Sequence, residues 1–202
     1  MKRQSLLHIV FILVSLVYVC GFTNKSDALS TVLKALPIFI LLLGHIFSAK
    51  INLRIVFALI FSICGDVVSE LSLPSSLPFK LQISFFACAQ FCYILEWSKF
   101  WKKRNKSEVA ISIVPFLIGG YALLLIGNLL SSIIAERKDK FRFVSGVLIF
   151  ILSDSLILVR MLSGGFTLDN ELVMFTYYLA QYLLVTPYWE DCGKDSEKSR
   201  VN

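Results

Sequence analysis

Two aspartates stand inside strongly apolar sequence. Asp66 lies in Ser62-Ile-Cys-Gly-Asp-Val-Val-Ser-Glu70, and Asp154 in Gly146-Val-Leu-Ile-Phe-Ile-Leu-Ser-Asp154-Ser155, with Glu70 one helical turn beyond Asp66. A carboxyl group in hydrocarbon is costly enough to mark a functional position. Two of them beside tyrosines can divide acid and base work, one protonated and its partner ionised. The same pair can serve as proton or cation sites in a transporter. It can also act as a buried clamp between helices, satisfied by Ser153, Tyr178, Gln181 or a helix end. Tyr178, Gln181 and Tyr182 share an i, i+3, i+4 face, and Gln82, Gln90, Tyr93 and Trp97 fall on one side of another apolar run. Other chemistries find little support. His8 and His45 are the two histidines, which makes a histidine metal site improbable and leaves Ser62, Ser69, Ser153 and Ser155 without a base at matching depth. No Gly-x-Ser-x-Gly occurs. The five cysteines, odd in number and without Cys-x-x-Cys spacing, read as packing residues. Neither metal nor cofactor is expected.

The elements that position these groups are membrane spans. With 56% hydrophobic and 17% charged residues and a mean hydropathy of +0.74, the chain is too apolar for a soluble enzyme. Its net charge of +6 therefore reports topology rather than affinity for nucleic acid. Apolar runs lie near 5–22, 30–48, 53–73, 79–98, 108–135, 143–162 and 170–189. The first begins after Lys2-Arg3 like a signal peptide, but no small-x-small cleavage site follows, so it reads as an uncleaved span. The fifth run, about 42 Å long as one helix, is interrupted by Pro115 and Gly119-Gly120. It reads as two short crossings, 108–119 and 121–135, or as a re-entrant segment.

Charge placement sets the parity. If the fifth run goes in and returns, 16 basic residues fall on one side: Lys2, Arg3, Lys50, Arg54, Lys99, Lys102, Lys103, Arg104, Lys106, Arg137, Lys138, Lys140, Arg142, Lys194, Lys198 and Arg200. Only Lys25 and Lys80 fall opposite, whereas a single pass gives 9 to 9. The expectation is an all-α polytopic bundle of about eight spans forming one membrane domain, with both termini cytoplasmic. A seven-span structural or signalling protein needs odd parity and fits this pattern poorly. Lys34 and Arg160 fall near outer helix ends, where snorkelling would accommodate them. Asp66 and Asp154 then lie roughly 20 and 18 Å from the cytoplasmic edge, with Tyr178 and Gln181 near the same level. The polar groups define a pocket in the outer half of the bilayer. Aromatic residues read mainly as lipid-facing and interfacial.

Phe61-Ser62-x-x-Gly65-Asp66, Gly146-x-x-x-Phe150-x-x-Ser153-Asp154-Ser155-x-x-Leu158 and Thr176-Tyr177-Tyr178-x-Ala180-Gln181, in that order, resemble the YhhN-like family of membrane lysoplasmalogenases. Lys34 with Leu36-Pro37 fits that family's Lys-Pro-Leu-like element, and the resemblance runs over roughly 30–188. Where the family's fourth span usually carries a histidine before its tyrosine, this chain has Gln90 before Tyr93. The resemblance implies an eight-span hydrolase of the vinyl ether of lysoplasmenyl-ethanolamine or -choline, releasing a fatty aldehyde and a glycerophospho-alcohol. It carries the catalytic role to Asp66 and Asp154. The substrate-binding set expected around them is Lys34, Glu70, Gln90, Tyr93, Ser153, Tyr177, Tyr178 and Gln181. By analogy with two-carboxyl glycosidases, Asp154 is the expected acid and Asp66 the expected base, with Lys34 at the phosphate. The implied partners are a vinyl-ether lysophospholipid and the bilayer, with no nucleic acid. Small size and minimal loops point to a bacterial inner membrane. The alternative is a small transporter or lipid-binding protein using Asp66 and Asp154 as coupling sites.

Overall fold

The computed structural model of the chain describes residues 2–24, 27–48, 50–71, 77–100, 120–163 and 169–189. Seven α-helices account for almost all of them: α1 (Lys2–Gly21), α2 (Ala28–Ile46), α3 (Leu53–Ser69), α4 (Leu77–Trp97), α5 (Tyr121–Ile134), α6 (Lys140–Ser163) and α7 (Asp169–Val185), and no strand occurs among the described residues. Four are long and apolar enough to cross a membrane, in α1, α2, α4 with its following 3-10 turn, and α6; α5 is shorter. The expected crossing at 108–119 lies outside the described residues, as do Cys192 and the basic residues at 102–106 and 194–200.

Local sequence sets the boundaries. Asp27 caps α2, its Oδ1 accepting the Ser30 amide at 2.7 Å, and Asn52 does the same for Arg54 at the start of α3 at 3.1 Å. The chain ends α3 at Ser69, with Glu70 as cap, rather than continuing to 73 with the apolar run. This brings Asp66 within one turn of the helix end. Gly120, at φ 31°, enters α5 in the left-handed region that suits glycine.

Neighbouring helices pack in chain order, and α1 and α2 also touch α7, which closes the bundle. Burying apolar surface does not drive helices together in lipid; close packing and polar contacts do. Gly65 and Gly146 serve that end. A Cβ on Gly65 would lie 3.1 Å from the Phe86 ring, and one on Gly146 would lie 2.7 Å from Leu184 Cδ2 and 3.3 Å from the Ala180 carbonyl. The interior is aromatic, with Tyr93, Trp97, Phe143, Phe150, Tyr177 and Tyr178 almost fully enclosed. This corrects the expectation that the aromatics mainly face lipid. The cysteines are corrected too: Cys20 and Cys88 are exposed, and Cys64 and Cys92 only half-buried.

The two ends of the bundle differ in charge. Lys50, Arg54, Lys99, Arg137 and Lys138 line one depression together with Tyr188. There the Glu136 amide donates to the Phe100 carbonyl at 3.0 Å, so α4 and α5 both terminate at this end. The described start and finish of the chain meet there as well, Gln4 Nε2 donating to the Trp189 carbonyl at 2.9 Å. α4 and α5 therefore run in the same direction through the bundle.

Candidate functional site

At the opposite end, between α1, α2, α3, α4, α6 and α7, lies a cavity of about 400 Å³. Asp66 and Asp154 both line it, with Lys34, Glu70, Ser153 and Tyr177 from the expected set. Two aspartates 88 positions apart in sequence thus share one chamber, because Gly65 and Gly146 let their helices approach their neighbours closely.

Each aspartate has its own tyrosine. The Tyr177 hydroxyl donates to Asp66 Oδ2 at 2.9 Å, and Asp66 is 1% exposed. The Tyr177 ring is held edge-on by Phe86 and Phe150, which fixes the direction of that bond. The Tyr121 hydroxyl donates to Asp154 Oδ2 at 2.7 Å. Tyr121 escaped the sequence reading, which treated its run by hydropathy alone.

Lys34 and Glu70 form an ion pair at 2.6 Å, and Lys34 Nζ also donates to Ser69 Oγ at 2.7 Å. Ser69 in turn donates to the Asp66 carbonyl at 2.7 Å, linking the pair to the backbone beside Asp66. Pro37, inside α2, removes an amide from the helix ladder and disturbs the turn before it. Within that turn the Lys34 carbonyl accepts the Tyr178 hydroxyl at 2.8 Å. Tyr178 therefore braces the helix that carries Lys34.

Deeper in the bundle, Tyr93 donates to Gln181 Oε1 at 2.8 Å, and Gln181 Nε2 donates to Ser62 Oγ at 3.1 Å. Gln90 accepts from Asn128 Nδ2. Gln90, Tyr93, Tyr178 and Gln181 are absent from the cavity lining. Their bonds tie α2, α3, α4, α5 and α7 together. Ser153 lines the cavity while donating to the Val173 carbonyl at 3.0 Å.

A second hollow adjoins the first. An apolar groove of about 390 Å³ runs between α4, α5 and α6 past Ala122, Leu125 and Ile126. Phe79, Gln82, Phe86, Asp154 and Ile157 line both the groove and the polar cavity. Asp154 is thus the acidic residue at the junction, with the Tyr121 ring on the groove side. Ile126 and Leu158 are 50% and 57% exposed, so the groove opens toward the lipid.

No group of three or more His, Cys, Asp or Glu side chains among the described residues is arranged to hold a metal ion. His8 hydrogen-bonds with Tyr182 at 3.0 Å, and His45 Nε2 accepts from the Asn52 amide at 3.0 Å. Neither reaches the cavity.

Buried serines, amides and carboxyls inside an envelope of exposed Leu, Ile and Phe define the class: an all-helical membrane protein built around an acidic chamber near one end. The sequence model of the YhhN family matches residues 29–134 and 117–187. Together these stretches cover residues 29–187, from the first turn of α2 to just past the end of α7, and the chain belongs to the YhhN family. No curated protein and no solved structure matches it.

Proposed function

We propose that this chain is a lysoplasmalogenase, a hydrolase that splits the vinyl ether of a lysoplasmenyl lipid. The carrying observation is the place of Asp154, where the polar cavity meets the apolar groove. In a lysoplasmenyl lipid the vinyl ether is the point at which the apolar chain joins the polar glycerophosphate. With the chain in the groove and the head in the cavity, the scissile bond comes to lie at Asp154. Membership of the YhhN family and the resemblance of its Gly-Asp, Ser-Asp and Tyr-Tyr-x-Ala-Gln elements to membrane lysoplasmalogenases support the same reading.

In the reaction, protonated Asp154 delivers its proton to the outer alkene carbon, leaving an oxocarbenium ion on the carbon bonded to oxygen. Asp66, as carboxylate, stabilises that cation and takes a proton from the water that attacks it. The hemiacetal then collapses to a fatty aldehyde and the free glycerol hydroxyl, Asp66 returning its proton to the departing oxygen while Asp154 takes up the hemiacetal hydroxyl proton, so that one water is consumed and both carboxyls are reset. Tyr121 and Tyr177 fix the two carboxyls. Both termini lie on the cytoplasmic side of a bacterial inner membrane in this scheme, since the basic end of the bundle faces the cytoplasm.

The test is aldehyde release from lysoplasmenyl-ethanolamine by purified protein in detergent, alongside Asp66→Asn and Asp154→Asn and an ester-linked lysophospholipid. Aldehyde from wild type alone, with the ester untouched, is the expected result. Folded wild type that releases none overturns the proposal and favours a transporter using the two aspartates as coupling sites, for which flux across vesicles is the measurement.

A further inference from the structure

Arg160 belongs to the last turns of α6, where a snorkelling side chain would leave the bundle for the interface. Here it is tied to the bundle's polar end instead. Arg160 lines the acidic cavity, and its guanidinium donates across to the Asn170 side-chain oxygen at the start of α7. Asn170 passes the chain on to Asn24 at 2.7 Å, and Asn24 to Glu171 at 2.9 Å. A neutral amide therefore holds the arginine in place without cancelling its charge.

The other cation of the cavity is already balanced, since Lys34 is paired with Glu70 at 2.6 Å. Among the side chains the structure describes, no carboxylate lies within ion-pair distance of Arg160. Asp154, Ile157 and Arg160 recur every third residue along the same cavity wall. The rise from Asp154 to Arg160 is about 9 Å. Five bonds separate the ether oxygen of a glycerophospholipid from its phosphorus, a span of the same order once the side chains reach inward.

We infer that Arg160 is the phosphate-binding residue of the cavity, selecting a lipid with a phosphate on the glycerol arm opposite its single chain. Arginine suits this task because its planar fork meets two phosphate oxygens at once. Lys34 then serves to hold Glu70 and the end of α3. The inference rests on the cavity being a lysophospholipid site, but not on hydrolysis there.

The experiment separates the two. Binding of a saturated 1-O-alkyl-lysophosphoethanolamine, which carries no vinyl bond, is measured beside binding of 1-O-alkylglycerol, which carries no phosphate. Arg160→Gln should weaken the phospholipid about tenfold or more while changing alkylglycerol less than about twofold, and Arg160→Lys should fall between. With a vinyl-ether substrate the loss should appear in KM, with kcat nearly unchanged. Equal weakening of both lipids, or of neither, overturns the assignment. So does wild type that binds both equally well, a result available even where Arg160→Gln fails to fold. Wild type that binds the inert phospholipid selectively yet releases no aldehyde overturns the hydrolase and leaves the phosphate site standing.

Discussion

Tyr121→Phe asks which way the proton moves at Asp154. The substitution keeps the ring in the groove wall and removes only the hydroxyl that donates to Asp154 Oδ2 at 2.7 Å. If Asp154 is the acid, it is neutral before reaction and becomes a carboxylate as the alkene is protonated. A hydrogen bond to a neutral acceptor contributes about 1 kcal/mol and one to a charged acceptor about 1.5–3. Tyr121 then favours the transition state over the ground state by about 1 kcal/mol, and its loss should lower kcat roughly five- to tenfold with little change in KM. If Asp154 is instead the base, the carboxylate is neutralised as reaction proceeds. The same hydroxyl then stabilises the ground state, and its removal should leave kcat unchanged or raise it. Single-turnover aldehyde release isolates the step. Asp154→Asn should cost about 10²–10⁴ in rate, and adding Tyr121→Phe to it should cost nothing further. A Tyr121→Phe enzyme as fast as wild type, or a double variant slower than Asp154→Asn alone, would refute the assignment of Asp154 as acid.

Three further outcomes follow from the geometry. Lys34→Met leaves Glu70 without its cation and should destabilise the protein by about 3 kcal/mol, with most of the loss recovered in Lys34→Met/Glu70→Gln; melting curves in detergent test this, and an unchanged melting point for the single variant contradicts the pairing. Gly146→Val places a side chain 2.7 Å from Leu184 and 3.3 Å from the Ala180 carbonyl, and because the backbone carbonyl cannot yield, a loss of about 1–3 kcal/mol is expected in the same assay. Ala122→Phe fills the apolar groove. It should raise KM for long alkenyl chains more than for short ones, and an equal effect on both would place the chain elsewhere.

Much of the site was legible because hydrocarbon punishes polarity. Asp66, Asp154, Tyr177, Lys34, Glu70 and Ser153 attract attention simply by standing in apolar runs, and all six line one cavity. Periodicity could not tell which polar residues face the chamber and which hold the helices together. Gln90, Tyr93, Tyr178 and Gln181 satisfy the same pattern, yet their bonds run to Asn128, Gln181, the Lys34 carbonyl and Ser62. The difference depends on helix rotation, which tertiary packing sets. Tyr121 was missed because its run was weighed by hydropathy and its glycines and proline, not by its polar side chains. Arg160 was missed too, although its three-residue spacing from Ile157 and Asp154 was a signal in plain view.

Charge, shape and chemistry constrain one another here. Acids that serve a lipid must sit close enough to the interface for the head group to keep polar contacts, yet deep enough for the chain to stay in hydrocarbon. Ending α3 at Ser69 puts Asp66 within one turn of the polar end, while Asp154 lies nine residues before the end of α6, about 13 Å deeper along that helix. The two carboxyls thus enter the chamber from helices of different reach, Asp154 against the groove and Asp66 toward Lys34 and Glu70. An amphiphile can satisfy both neighbourhoods in one orientation only, with its chain past Tyr121 and its head toward Arg160. A fully polar ion or solute would leave the groove without an occupant. The paired hollows therefore weigh against simple ion coupling and for a single-chain lipid bound with its head-to-chain junction at Asp154.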